Sequence, residues 1–311
     1  MTEPSRRLLV TGRHGFVGGI LARMLEQEPY ATRWELAEIS PDLDLRDGEA
    51  SLTLVESTQP DAVIHLAAQS AVPESFRDPA STFQINLIGT LHLLQALKRQ
   101  KFSGRLLYVS SGEVYGLVPT AELPASEERL PHPRNPYAVS KLAAEALCAQ
   151  WAMTDALDVV IARPFNHIGA GQSDRFAISD FARQIASIQG GLAAPILRVG
   201  NIDVTRDFTD VHDVVAAYFA LIERGRSGET YNVCSGKETS VRCLLDQLIG
   251  LSGVAITVAR EEARVRPAEQ PRMAGDARKI FEHTGWRTQT PIESSLKAAL
   301  QYWQRSLEKA D

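Results

Sequence analysis

Over the first 165 residues, short runs of apolar and often β-branched side chains alternate with longer stretches at helical spacing. That alternation predicts a parallel sheet whose strands are joined by helices packed on both faces, an α/β fold. Residues 8–11 (LLVT) are too few and too apolar for anything but a buried strand, and 61–67 (DAVIHLA), 105–110 (RLLYVS) and 157–163 (LDVVIAR) repeat the pattern. Residues 17–25 and 82–98 carry apolar side chains at helical spacing and are expected to be helices. After Pro164 the pattern breaks into Gly, Ser, Asp and Arg clusters up to about Asp207, which marks a domain boundary. Residues 213–223 (DVVAAYFALIE) and 230–233 (TYNV) return to helix and then strand, so this piece should rejoin the first sheet. Helices at 241–251 and 292–307 complete a smaller α/β lobe. The expected division is 1–164 with 209–235 in the larger domain and 165–208 with 236–311 in the smaller.

Directly after the first strand lies Thr11-Gly12-Arg13-His14-Gly15-Phe16-Val17-Gly18, which opens a helix. Strand, glycine loop and helix in that order are what a dinucleotide pyrophosphate requires. One glycine permits the tight turn, one lets the backbone approach the phosphates, and one lets helix and strand pack closely. The free N–H groups and positive dipole end of the helix then face the anion. This makes the sheet a doubly wound Rossmann fold with NADPH or NADH as the expected cofactor. The acidic residue expected about 20 positions on is not distinct. Glu35 and Glu38 lie near the end of the second strand, and either also reads as a solvated side chain; Arg13 or Arg33 would instead meet a 2′-phosphate, so the choice of cofactor stays open. Asp44 and Leu45, in an acidic turn, are placed beside the adenine.

Tyr137-Ala138-Val139-Ser140-Lys141 follows Asn135-Pro136, where a helix should begin. Residues four apart share a helix face, so the phenol and the ammonium point into one cleft. A nearby cation is expected to draw the phenol down from its usual value near 10 and fit it for proton transfer to an alcohol or ketone. The segment Tyr108-Val109-Ser110-Ser111-Gly112-Glu113-Val114-Tyr115-Gly116 brings hydroxyls to the same carboxyl edge of the sheet, where ligands of open α/β sheets bind.

These stretches resemble the extended short-chain dehydrogenase/reductases that act on nucleotide sugars, over almost the whole chain. The resemblance also includes His65-Leu66-Ala67-Ala68, Asn86 and Arg163-Pro164-Phe165-Asn166. It implies that Ser111 holds the sugar oxygen, that Tyr137 donates the proton and that Lys141 grips the nicotinamide ribose. Gly12, Gly15, Phe16, Val17, Gly18, Leu66, Ala67, Ala68, Asn86 and Pro164 are then expected at the cofactor. Within the family the chain looks most like enzymes of GDP-mannose metabolism, on Ala67-Ala68-Gln69-Ser70, Phe165-Asn166-His167 and Gly200-Asn201-Ile202-Asp203-Val204-Thr205-Arg206-Asp207. Gln69, Gly112, Glu113, Asn166, Arg206, Arg266 and Glu269 are the implied contacts to a GDP-sugar. Two reactions compete. Reduction of the C4 ketone of GDP-4-keto-6-deoxy-mannose, giving GDP-rhamnose, needs only hydride, Tyr137 and Ser111. Dehydration across C5 and C6, with tightly bound NADP, needs further acid-base groups, and Gly112 stands where such enzymes commonly carry an acidic or hydroxyl residue. Reduction is therefore preferred, with Glu113 a catalytic candidate that reads more simply as a partner of sugar hydroxyls. A dinucleotide-sensing protein without activity is disfavoured by the intact Tyr137 and Lys141. A homodimer is expected by resemblance alone.

Composition narrows the partners. The 311 residues carry 33 Lys and Arg against 38 Asp and Glu, a net charge of −5, with no basic run to track nucleic acid. The longest apolar stretch, 214–222, falls far short of the roughly 18–20 residues of a membrane span. A polar start leads straight into the glycine motif, so a cytoplasmic protein is expected. Cys148, Cys234 and Cys243 lack Cys-x-x-Cys spacing and read as small core residues. His14, His132, His212 and His283 lack ligand spacing, and no metal is expected.

Overall fold

The computed structural model describes residues 5–264 and 270–308. In chain order the elements are β1 (Arg6–Thr11), α1 (Phe16–Leu25), β2 (Trp34–Leu36), α2 (Gly48–Thr58), β3 (Ala62–His65), α3 (Val72–Arg77), α4 (Pro79–Phe83), α5 (Gly89–Arg99), β4 (Arg105–Val109), α6 (Pro136–Asp155) and β5 (Asp158–Pro164). There follow β6 (Asn166–Ile168), α7 (Ala177–Gln189), β7 (Ile196–Val199), β8 (Thr205–Asp210), α8 (Val211–Arg224), β9 (Thr230–Val233), β10 (Glu238–Ser240), α9 (Val241–Ser252), β11 (Thr257–Arg260), α10 (Arg278–Thr284) and α11 (Ile292–Glu308).

Six parallel strands form one sheet in the order β2-β1-β3-β4-β5-β9. The chain leaves β1 first toward β2 and then returns to β3 on its other side, so the carboxyl ends of β1 and β3 flank the topological switch point, where such sheets bind ligands. Alternation along the strands feeds two cores. Leu8, Val10, Ala62, Ile64 and Leu107 pack with α1 and α8, while Leu9, Val63, Leu106 and Tyr108 pack with α2, α5 and α6. Coverage of both faces is why the strands read as unbroken apolar runs. A third core, from Ile178 and Phe181 on α7 to Leu244 and Leu248 on α9 and Leu296 and Leu300 on α11, fills the smaller lobe. Of its two small sheets, β10-β8-β6 and β11-β7, the strands β6 and β7 and the start of β8 come from the segment after Pro164 whose sequence showed only short broken elements, while β10 and β11 follow from further along the chain.

Three expectations change. Residues 82–98 are helical throughout, as expected, but not uniformly α-helical. A π-turn at Gln84–Ile88 separates α4 from α5 and carries Asn86, whose burial is described below. Ile280 and Trp286 pack into the large core with Tyr218 and Val233, so the stretch after 236 does not belong wholly to the smaller lobe. Cys148 and Cys234 are buried, but Cys243 is exposed on α9, where it accepts from the Gln247 amide.

Behind the sheet edge lies a buried charge pair. Arg163 at the end of β5 donates from Nε and Nη2 to the two carboxylate oxygens of Glu145 on α6, at 3.0 and 2.7 Å. Its guanidinium lies 4.9 Å from the centre of the Tyr115 ring, and the Tyr115 hydroxyl donates to Asn232 Oδ1 at 2.7 Å. Removing one partner of such a pair leaves an uncompensated buried charge. Glu145→Gln is therefore expected to lower unfolding free energy in urea by about 3–5 kcal/mol, and the double variant Glu145→Leu with Arg163→Met to recover most of that loss.

Candidate active site

The glycine loop is drawn tight against its surroundings. Gly12 has φ of +73°, and a Cβ there would lie 2.8 Å from the backbone nitrogen of Ala67. A Cβ on Gly18 would lie 2.4 Å from the Gly12 carbonyl oxygen, so neither position admits a side chain. Thr11 ties the loop to the end of β3: its hydroxyl accepts from the Ala67 N–H at 3.2 Å and meets His65 Nδ1 at 2.7 Å. The far ring nitrogen of His65 meets Thr90 Oγ1 at 2.9 Å, and burial pushes this imidazole down to about 3, so it is neutral. Gly15 caps α1 without a side-chain hydrogen bond, and no acidic residue stands in the first turn. The leading N–H groups of α1 are thus left for an anion, and the cradle fits a dinucleotide diphosphate. Phe16 lies over the His167 ring, centroids 6.1 Å apart and nearly parallel.

Across the switch point, α6 begins where Asn135 accepts the Ala138 N–H on its side-chain oxygen at 2.7 Å, with Pro136 in the first turn. Tyr137, Lys141 and Ser111 are 7 %, 4 % and 8 % exposed and share one wall of the cleft. Lys141 Nζ donates to the Val109 carbonyl at the end of β4, at 2.7 Å. Burial lowers this ammonium to about 8, against the pull of Glu145 one turn further on. Tyr137 departs from expectation. Burial pushes its phenol up to about 12, offset by a hydrogen bond with Ser111 and reinforced by the Glu113 carboxylate. Lys141 does not lower it here, because its ammonium is turned to the Val109 carbonyl. The consequence is a tyrosine held firmly protonated at neutral pH.

Glu113 is exposed at the mouth, its Oε2 accepting from Asn135 Nδ2 at 3.2 Å. The residue that caps the Tyr/Lys helix therefore also holds the carboxylate. Beneath it, Gly112 is closed off: a Cβ would lie 3.0 Å from the Phe165 ring. A second acid at this position would have to displace that ring.

The family profile of GDP-mannose 4,6-dehydratase matches residues 9–299. The chain belongs to that family. GDP-6-deoxy-D-mannose reductase of Pseudomonas aeruginosa is 51% identical over 96% of this chain and 98% of its own length. Within the same similarity, dTDP-glucose 4,6-dehydratase 1 of Escherichia coli is 29% identical over 96% of this chain and 92% of its length. Among solved structures, RMD of Pseudomonas aeruginosa complexed with NADPH superposes with a TM-score of 0.91 at 50% identity, covering 97% of this chain and 100% of that one. The doubly wound sheet is the fold shared with these relatives.

Not every expected contact side chain is free to face a ligand. Asn86 is buried and spends its amide within the protein: Oδ1 accepts the Gln69 N–H at 2.8 Å, and Nδ2 donates to the Gln69 carbonyl at 3.0 Å and to Ser140 Oγ at 2.9 Å. It clamps the loop after β3 to α6 instead of presenting its amide to the cofactor. Gln69 likewise folds its amide onto Ala71 and Thr82. Leu66, Ala67 and Ala68 are half-buried beside the glycine loop, with Val17 in the first turn of α1, and Pro164 pairs with Val233 at the sheet edge. Asp44 is turned to Arg46 at 2.6 Å, which draws its carboxyl below the usual range, and Leu45 packs under Gly89. Asn166 is exposed at the start of β6, and Arg206, in β8, donates from Nη1 to the Thr205 carbonyl at 2.8 Å. Arg266 and Glu269 lie outside the described residues. The grip of Asn135 on Glu113 and the Phe165 ring under Gly112 were not foreseen; an Asn-Pro start announces a helix cap but not what the rest of the amide holds.

Overpacking against a ring in a closed site costs about 1–3 kcal/mol. Gly112→Ala is expected to lower the unfolding free energy measured in urea by that order, and the loss in a Gly112→Ala, Phe165→Leu double variant to be smaller than the sum of the two single losses.

Proposed function

We propose that the protein reduces the C4 ketone of GDP-4-dehydro-6-deoxy-D-mannose to the alcohol of GDP-6-deoxy-D-mannose (GDP-D-rhamnose), with NADPH or NADH as reductant. One observation carries the choice of reduction over elimination: beside the Ser111, Tyr137 and Lys141 set, the position of a second acid is Gly112, closed by Phe165. Near-full-length 51% identity to a GDP-6-deoxy-D-mannose reductase, against 29% to a dehydratase, supports the same choice. The dehydratase alternative retains only Glu113 as an additional base.

When bound, the reduced nicotinamide supplies a hydride to C4. The chain's own groups manage the oxygen. Tyr137, kept protonated by burial, gives its phenolic proton to the C4 oxygen, and Ser111 Oγ hydrogen-bonds that oxygen as negative charge develops. A phenol near 12 still suffices, because a forming sugar alkoxide is a stronger base than the phenolate left behind. Lys141, charged below about 8, would hold the nicotinamide ribose with the donors it does not give to the Val109 carbonyl. Glu113, held by Asn135, takes a sugar hydroxyl. Gly12, Gly15, Phe16, Val17 and Gly18 take the diphosphate, and Asp44 and Leu45 border the adenine. Asn166, Arg206, Arg266 and Glu269 hold the GDP-sugar, the arginines suiting the diphosphate by their forked donors. The larger domain is thereby the dinucleotide domain and the smaller lobe the nucleotide-sugar domain.

The same reading includes a homodimer formed through α6. Val139 and Met153, exposed and 14 residues apart on this helix, fall on one side of it. A cytoplasmic location follows from dependence on the cellular pools of reduced nicotinamide and nucleotide sugar. Among the described residues no helix is long and apolar enough to cross a membrane.

The purified protein is to be offered GDP-mannose in one reaction and GDP-4-dehydro-6-deoxy-D-mannose with NADPH or NADH in another, with the sugar identified by NMR. Consumption of the keto sugar and of cofactor in equal amounts, giving GDP-D-rhamnose and lost in Tyr137→Phe, is the expected result. Conversion of GDP-mannose without net cofactor use overturns the reading. In the pH profile of kcat/KM, activity is expected on the acid side, where Lys141 is charged, and to fall tenfold per unit above about 8 as the ammonium loses its proton.

A further inference from the structure

We propose that Asn135 is a specificity-determining residue: by fixing the Glu113 carboxylate where it meets the sugar, it sets how much more tightly the site holds a GDP-hexose than GDP alone. The inference rests on the proposed function, which places Glu113 against a sugar hydroxyl. Capping does not explain an amide at this position. Asn, Asp and Ser cap a helix about equally well, because each needs only an oxygen that accepts an N–H of the first turn. Asn135 supplies that oxygen to Ala138 at 2.7 Å and still has an amide nitrogen, which neither aspartate nor serine carries. That nitrogen donates to Glu113 Oε2 at 3.2 Å. The two bonds together fix the amide, since turning it over would set an oxygen against the carboxylate and an N–H against the Ala138 N–H.

Glu113 has little else to hold its side chain. It is exposed, forms no ion pair among the described residues, and takes no hydrogen bond on Oε1 from them. An untethered glutamate loses rotamer freedom when a ligand orders it, and a tether made in the free protein removes that loss beforehand. The backbone of Glu113 is already placed. Gly112–Tyr115 forms one tight turn, and Ser111 Oγ accepts the Glu113 N–H at 3.2 Å at its start. Tyr137 is hydrogen-bonded with Ser111. A closed circuit therefore runs from Ser111 through Glu113 and Asn135 into the first turn of α6, and back through Tyr137 to Ser111. The Asn135 amide bridges two segments 22 positions apart, so the open oxygen of Glu113 keeps one place relative to both reacting hydroxyls.

The test is calorimetric titration of the full-length protein, with NADPH present, by GDP-mannose and by GDP, and the readout is the ratio of the two dissociation constants. GDP-mannose has no ketone to accept a hydride, so nothing turns over. Asn135→Asp keeps the capping oxygen but sets a second carboxylate against Glu113. It is expected to weaken GDP-mannose relative to GDP by about 10-fold, the order of one hydrogen bond to a charged group. Asn135→Ser, a cap without the amide, is expected to move the ratio in the same direction, and neither variant to lower the urea midpoint or weaken NADPH. The deciding variant combines Asn135→Asp with Glu113→Gln, which exchanges donor and acceptor: the new amide donates to the new carboxylate and keeps its oxygen for the sugar. In that background Asn135→Asp is expected to cost less than about twofold, a rescue that a mere helix cap would not show. An unchanged ratio in both Asn135 variants, an equal cost of Asn135→Asp with and without Glu113→Gln, or equal weakening of GDP and GDP-mannose overturns the proposal and leaves Glu113 at the sugar. An unchanged ratio in Glu113→Ala removes Glu113 from the sugar, and the proposal with it.

Discussion

The site hangs on the seating of one helix against one strand end: the Lys141 ammonium of α6, almost wholly buried, is satisfied by the Val109 carbonyl at 2.7 Å. A buried cation without a partner is too costly to keep, so this bond fixes the rotation and height of α6 over β4. Tyr137 one turn earlier and Ser111 two residues past Val109 then meet as a geometric consequence. The same helix is held from its other sides by Ser140 to Asn86 and by Glu145 to Arg163. Three elements, β4, the π turn and β5, thus converge on a helix whose first turn carries the phenol.

That construction sets the chemistry. Burial makes the Tyr137 phenol a weaker acid than it is in water, and the proton stays on it until a stronger base such as an alkoxide forms beside it. The expectation that Lys141 would lower the phenol assumed that two side chains on one helix face interact with each other. The structure instead offers the ammonium a backbone acceptor, and the lysine becomes a fixed positive end of the cleft. Proton donation to a nascent alkoxide is compatible with this arrangement, because the alkoxide is the stronger base, whereas a tyrosine acting as a base at neutral pH would need its phenol lowered.

The glycine loop is built by a similar economy of contacts. Gly12 and Gly18 have no space for a side chain because the loop after β3 and the loop's own carbonyl press on them, and Thr11 with His65 and Thr90 locks the two strand ends together. The loop is consequently a rigid platform. A rigid platform gives Arg13 a defined reach to Ala37, which a flexible lysine on a mobile turn would not have.

Local sequence determined the strands of the large sheet, several of the helices, the glycine loop and the Tyr137 and Lys141 pair, because each depends on periodicity or on residues within a few positions of one another. Apolar runs announce doubly covered strands, and Asn135-Pro136 announces a helix start. Tertiary structure decided what depends on contacts between distant segments. It turned Asn86 and Gln69 inward, widened the helix into a π turn at Gln84–Ile88, drew Ile280 and Trp286 into the large core and left Cys243 exposed. It closed Gly112 with a ring 53 positions away and separated Arg13 from Arg33, equally plausible in sequence, by placing them at opposite ends of β2. No spacing rule reaches such pairs, because the direction of a side chain's hydrogen bonds is fixed only when the partner's backbone has been brought to it.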